Sequence, residues 1–362
     1  MKILFVCERL GERDDEGIRN LAQALLDHFA QRHDVLALTQ GEDGEASKVL
    51  RIPMNPLARR TFLSAELLRQ AHRFHPDVTL YVPWTSGTLP TFVRARVLRH
   101  ATRAPVAIYL TQPYENPRWQ RLFVRYLLPE LAMALSDNVV RHLAQLGAEA
   151  ELVPAGVDLE RFRLPSAAER AQQRSELGVA PGEQLVVHVG HLNRNRLDEA
   201  DIAALARAPR RRVVIVGSTS TPQDEALVRG LEEAGCRVIA RYLPRIERLY
   251  QAADAYLFPT RAQRSSIGVP LSVLEALACG VPVVSTRFEG LPRLFPAAAQ
   301  VRFFSSLPQL ERALAELPPA PDPGARQLVQ HLDWNGVVSA VERHLLALAD
   351  RAQLGVPSSA RA

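Results

Sequence analysis

The stretch Ser265–Pro292, SSIGVPLSVLEALACGVPVVSTRFEGLP, decides how this chain folds. It opens as a loop bearing Gly268 and Pro270, becomes a short apolar helix, and ends as a buried strand followed by a second glycine turn. Pro270 suits the first helical position, because its ring presets φ and its missing N–H would be unpaired there anyway. Leu271, Leu274, Leu277 and Ala278 recur at helical spacing. Gly280 is placed as a C-terminal cap, and Val281, Val283 and Val284 read as a central parallel strand. Loop amides at a helix N-terminus make a ready phosphate site. Glu275, one turn further in, can accept hydrogen bonds from a pair of sugar hydroxyls. An ordinary loop–helix–strand crossover reads the same way on pattern alone.

Outward from this segment, two α/β halves are legible. KILFVC, DVLALT, PDVTLYV and PVAIYLT are strands of the first, and Ile18, Leu21, Leu25 and Phe29 form a helical stripe behind the first strand. The second half has QLVVHVG, RRVVIVGS, CRVIARYL, AYLFPT and VPVVST, with Leu227, Leu231 and Ala234 as an intervening stripe. Strands alternating with helices predict a doubly wound parallel sheet in each half. The polar segment Arg163–Glu176, with one proline, reads as the connection between domains. A last amphipathic helix places Trp334, Val337, Val338, Val341, Leu345 and Leu346 on one face. The expected organisation is a first domain over 1–162, a second over 163–330, a terminal helix over 331–352 and a disordered tail over 353–362.

At 362 residues and 47% hydrophobic, the chain builds two cores comfortably. No apolar run reaches the length of a membrane span. MKILFVC reads directly into a strand without a cleavage pattern, and Cys7, Cys236 and Cys279 are far apart in apolar settings. A cytoplasmic location is therefore expected, without disulfides or a zinc site. Of 44 basic residues only Lys2 and Lys48 are lysine. Twelve arginines lie between Leu50 and Leu128 against Glu66, Asp77 and Glu115. A solvated arginine-rich face accounts for this excess; peripheral contact with an anionic membrane or an anionic acceptor is the functional alternative. No recognised nucleic-acid module accompanies the net charge of +5, and no nucleic-acid partner is expected. Neither sheet opens with Gly-x-Gly-x-x-Gly, which argues against a nicotinamide enzyme.

With these residues in place, Ser265–Pro292 resembles the nucleotide-sugar site of the retaining glycosyltransferases of family four, the group 1 glycosyl transferases. Gly268, Leu271, Glu275, Ala276, Ala278, Cys279, Gly280, Pro282, Val283 and Val284 match that pattern. Ile267 stands where the family has the first of two glutamates. Pro154, Gly156, Val157, Asp158 and Phe162 in VPAGVDLERF are similar to the family's inter-domain signature. The resemblance implies a GT-B fold: two Rossmann-like domains facing a central cleft, with the terminal helix crossing back to the first. It implies transfer of a sugar from a nucleoside diphosphate sugar to an acceptor, with retention and without metal or other cofactor.

The same resemblance supplies the candidate site. HVGHLNRNR is similar to a strand end whose Arg and Lys grip the donor diphosphate. Gly190 is kept, His191 stands for the Arg, and Arg196 stands for the Lys. Arg194 can compensate if its loop bends inward. Gly17 keeps half of a Gly-Gly turn near the donor phosphates, with Glu16 replacing the other half; a helix N-terminus explains Gly17 equally well. Gln112 holds the place of a catalytic-region histidine and can hydrogen-bond a sugar but not act as acid or base. Ser266, Gly268, Val269, Leu271 and Glu275 complete the donor contacts, with Arg261, Arg264 and Ser265 at the rim. Arg196 and Gln112 are the catalytic candidates. The implied alternative is a degenerate GT-B protein that binds nucleotide or a partner without transfer. Base, sugar and acceptor are not encoded in any pattern.

Overall fold

Continuous apolar runs such as LVVHV and AYLF bury both faces of a strand, which a parallel sheet covered by helices on each side requires. The computed structural model describes residues 1–10, 17–40, 49–52, 62–84, 86–194, 196–219, 223–262, 265–296 and 298–354. Its strands are β1 (Lys2–Val6), β2 (Asp34–Gln40), β3 (Val49–Ile52), β4 (Val78–Tyr81), β5 (Val106–Leu110), β6 (Leu131–Ala134) and β7 (Ala150–Leu152) in a first sheet. The second sheet holds β8 (Gln184–Gly190), β9 (Arg211–Gly217), β10 (Arg237–Ile239), β11 (Ala255–Phe258), β12 (Val283–Thr286) and β13 (Val301–Phe304).

All the described pairings within these sheets are parallel. The orders are β3-β2-β1-β4-β5-β6-β7 and β10-β9-β8-β11-β12-β13. Both are the doubly wound order, and each reverses direction of growth at one point, between β1 and β4 and between β8 and β11. Ligands bind at the carboxyl ends of strands beside such switch points. In the second sheet those ends are His188–Gly190 and Phe258.

The chain forms two compact units, one running from Met1 to Ala155 and taking back Asn335 onward, the other spanning Gly156–Trp334. The crossover therefore falls seven residues before the boundary expected after Phe162. The segment Arg163–Glu176 is also not a free connection. Ala167–Glu176 is a helix with a capping box between Ser166 and Glu169. It docks through arginines instead of an apolar stripe. Arg170 donates to the carbonyls of Gln251 and Ala253 at 2.8 Å and to Asp254 Oδ1 at 2.6 Å. Arg174 donates to Ala252 O at 3.0 Å and Asp254 Oδ2 at 2.8 Å. These guanidiniums cap the open carbonyl end of helix Glu247–Ala252, where cations are favoured.

The terminal helix spans Trp334–Gln353 and buries Val337, Val338, Val341, Leu345, Leu348 and Ala349. Leu346, expected on that face, is 41% exposed. Within the first unit Glu342 meets His33 Nε2 at 2.7 Å and Arg32 Nη1 at 3.1 Å. No described helix is long and apolar enough to cross a membrane. The polar loop up to Glu16, with its Asp14–Glu16 cluster, lies outside the described residues, as do Arg264 and residues 355–362 of the expected tail.

Candidate functional site

Helix Leu271–Ala278 begins one residue later than expected, with Pro270 in the cap position at φ −64° and ψ 125°. No side chain caps its first turn. Its amides therefore face the loop Ser265–Val269 without an internal acceptor side chain, the arrangement a phosphate uses. Gly280 closes the helix at φ +78°, in the left-handed region that favours glycine. Gly290 N–H donates to Gly268 O at 3.0 Å, tying the downstream turn to this loop. That turn holds Glu289 at φ +41°, and the strain costs about 1 kcal/mol.

Glu275 lies one turn into the helix and is half-buried. Its Oε2 accepts from Tyr250 Oη at 3.0 Å, its one described hydrogen bond. Desolvation raises its pKa to about 7, against the Tyr250 bond and the Arg161 charge, with Glu247 adding to the rise. Tyr250 packs edge-on to Tyr256, centroids 5.7 Å apart. Tyr256 Oη donates to Val189 O at 3.2 Å, linking β11 to the end of β8. Burial pushes the Tyr256 phenol well up, partly offset by hydrogen bonds with Ser272 and Val189 and by Arg196.

His188 is buried at 2% exposure, stacked on Tyr256, with Nδ1 2.9 Å from Leu257 O. A carbonyl only accepts, so Nδ1 carries the proton. Burial, with the charges of Arg196 and His191 and against the Leu257 bond, lowers the imidazole pKa to about 4. The ring is thus neutral, and Nε2, buried without a partner, is an open acceptor. A Cβ at Gly190 would stand 3.0 Å from it.

The structure thus gathers Gly190, His191, Arg196, Tyr256, Ser272 and Glu275 around one end of the second sheet. Arg196 is half-buried in the turn after β8, its N–H donating to Asn193 O at 3.0 Å. His191 is 7% exposed. Ile267 and Val269 are 3% and 2% exposed and Leu271 is 8% exposed, so these positions offer backbone, not side chains, to a ligand. Ser266 is half-buried at the loop. Arg194 does not bend inward; it pairs with Glu199 at 2.8 Å and Asp224 at 3.3 Å. Arg261 pairs with Asp201 at 2.9 Å. In the first unit, Gly17 opens helix Gly17–Arg32, and Gln112 is half-buried just beyond β5.

Sequence reasoning missed Tyr250, Tyr256 and His188, and in the first unit it missed Glu8. Glu8 is 6% exposed and accepts from Tyr81 Oη at 2.7 Å, Trp84 N–H at 2.7 Å and Arg94 Nη1 at 2.9 Å. The only signal for Glu8 was a charged residue directly after an apolar strand. A cavity of about 530 Å³ in the second unit is lined by Arg161, Arg163, Arg245, Glu247 and Arg248 among others, and by none of the gathered residues. Each of those arginines already has an acidic partner, Glu247, Glu169 or Glu176, so this cavity is a solvated ion-pair network. Among the described residues no cluster of His, Cys, Asp and Glu could hold a metal ion.

Residues 183–311 match the family model described as Glycosyl transferases group 1. The D-inositol 3-phosphate glycosyltransferase of Nocardia farcinica is 30% identical over 258 residues, 63% of this chain and 56% of that protein. The enzyme of the same name from Segniliparus rotundus is 33% identical over 153 residues, 39% of this chain and 32% of that protein. The chain thus spans a little over half of the first relative and about a third of the second. Among solved structures, Anabaena Alr3699/HepE in complex with UDP and glucose superposes with a TM-score of 0.76 at 18% identity, covering 96% of this chain and 100% of that one. WaaG, a glycosyltransferase involved in lipopolysaccharide biosynthesis, gives 0.69 at 17% identity over 94% of this chain and 99% of that one. Residues 183–311 thus match a glycosyl transferases group 1 domain, and the two parallel-sheet α/β units have the GT-B fold.

Proposed function

We propose that the protein is a retaining, metal-independent glycosyltransferase of family four that takes its sugar from a nucleoside diphosphate sugar. The observation that carries this reading is Glu275: a half-buried carboxylate with one hydrogen bond, one turn behind an uncapped helix N-terminus. Ribose hydroxyls fill its vacant acceptor positions, and the diphosphate lies on the amides of the Gly268–Leu271 segment, with Arg196 from the β8 turn neutralising it. The bond from the anomeric carbon to the diphosphate oxygen breaks. A bond from that carbon to the acceptor oxygen forms on the same face, and the acceptor's hydroxyl proton passes to the departing diphosphate. Arg196 and the fixed amide dipoles stabilise the charge that grows on the leaving group. Gln112 orients the sugar or acceptor through hydrogen bonds. The reaction runs in the cytoplasm, on an acceptor that is a saccharide, a lipid-linked sugar or a small molecule.

The experiment is a panel of UDP, GDP, ADP and dTDP sugars. Stabilisation in a thermal melt is read first, then nucleotide release with a trial acceptor, then the anomeric configuration of the product by NMR. Stabilisation by one diphosphate and more by one of its sugars, with retained product, is expected. Inverted product would remove the retaining assignment. Ile267 favours a second reading. An apolar side chain buried to 3% exposure stands where the resemblance has the first of two glutamates, so nucleotide binding without any turnover would mark a degenerate binding protein.

A further inference from the structure

Helix Arg118–Val124 and the 3-10 turn Arg125–Leu127 follow β5 and Gln112 in the first unit. Their inner side is ordinary core, with Val124 and Leu128 packed beneath helix Leu89–Thr102. Their outer side is not an ordinary surface. Trp119 is 60% exposed, Leu122 68%, Phe123 59% and Tyr126 79%. The four recur at the i, i+3, i+4 and i+7 spacing of one helical face. Trp119 and Phe123 meet edge-to-face at 6.3 Å, so they form one apolar ridge. Large apolar side chains exposed singly need no explanation, whereas four contiguous ones mark a binding surface.

The charges around the ridge select its occupant. Arg118 and Arg125 are exposed at its ends, and Arg121 is half-buried with Nε on Asn116 O at 3.0 Å. Helix Leu89–Thr102, packed against it, adds Arg96, and the exposed Arg103 follows, while Arg99 is engaged by Glu130 at 3.1 Å. Glu115 is the one exposed acid nearby in sequence. A second copy of this chain would bring two arginine clusters together, which opposes self-association. We propose that this ridge docks on an anionic lipid bilayer. Trp119, Leu122, Phe123 and Tyr126 enter the headgroup boundary, where amphipathic aromatics are favoured, and the arginines hold the phosphates around them. The proposal rests on the first unit alone and holds whether or not the second unit transfers sugar.

The test is flotation of the full chain with vesicles of phosphatidylcholine alone and of phosphatidylcholine mixed with phosphatidylglycerol. Binding to the anionic vesicles only, weakened by salt, is expected. Leu122→Ser with Phe123→Ser should lower the partition coefficient by about tenfold or more while leaving the melting temperature unchanged, because both side chains are already in water. Arg118→Gln with Arg125→Gln should remove most of the preference for anionic lipid. Failure of the parent chain to float with anionic vesicles overturns the proposal, and so does flotation that the serine variant leaves intact. A dimer in sedimentation that the serine variant converts to monomer overturns it too, by assigning the ridge to a second copy. Nucleotide stabilisation is read on the same variants, and its persistence separates failure here from failure of the transferase reading.

Discussion

Two carboxylates stand near the ends of central strands, one in each unit, and the structure treats them in opposite ways. Glu8 follows β1 and has three donors: Tyr81, Trp84 and Arg94 all donate to it, and Arg94 balances its charge at 2.9 Å. Glu275 faces the corresponding region of the second sheet with a single donor, Tyr250. Burial raises the pKa of both, yet Glu275 has one described donor where Glu8 has three. A buried carboxylate with three donors is a fastening, because most of its acceptor positions are used to hold protein. An undersaturated one costs stability in the free protein and recovers that cost when a ligand supplies donors.

The sharpest way to break this contrast is Glu8→Ala. It leaves the guanidinium of Arg94, 8% exposed as a residue, without its carboxylate, and an uncompensated buried charge costs about 3–5 kcal/mol. Denaturant unfolding of the first unit should show that loss, with nucleotide affinity unchanged wherever the unit remains folded. A loss under about 1 kcal/mol would mean that Glu8 is as replaceable as a surface acid.

Glu275→Ala should do the reverse. Stability should change little, and nucleotide affinity should weaken by about 1–3 kcal/mol through lost charged hydrogen bonds. Titration calorimetry reads the affinity, and unchanged binding in a folded variant would remove the ribose role. The raised pKa adds a pH signature. An acid whose folded pKa is about 7, above its unfolded value near 4.5, binds more protons when folded. Its contribution favours folding at pH below both values, falls away as pH rises from about 4.5 to 7, and is then a constant penalty. Glu275→Gln should flatten that slope. For the parent protein, nucleotide affinity should increase as Glu275 ionises near pH 7, relative to the glutamine variant.

Both sheets and the loop bearing Gly268 and Pro270 were legible because parallel strands, helical stripes and turn residues are local signals. Glu275 was legible through its place in a long motif. What escaped depends on neighbours distant in sequence. Tyr250 and His188 matter through contacts with Glu275 and Leu257, 25 and 69 positions away. Helix Ala167–Glu176 looks like a connection in sequence because it is so polar, and in the structure Gln173 is its one buried residue. Arginine caps on a neighbouring helix end hold it, and no periodicity reports those. The sequence alone offers Arg194 as a reserve for the phosphate, whereas Glu199 and Asp224, at the starts of the two following helices, engage it.

The smallest expected effect sharpens the same contrast from the cationic side. Arg196 is half-buried and its charge reaches His188 and Tyr256, which places it at the ligand end of the sheet. Solvent screens a half-buried cation, and Arg196→Ala should weaken nucleoside diphosphate binding by about 1 kcal/mol. Nucleoside binding should not move, because a nucleoside offers the guanidinium no anion. Equal losses for both ligands would mean that Arg196 shapes the loop and does not read phosphate. A loss confined to the diphosphate would assign the β8 turn to the leaving group, leaving Glu275 to the ribose. The two contributions should then add in the double variant, since each touches a different part of the ligand.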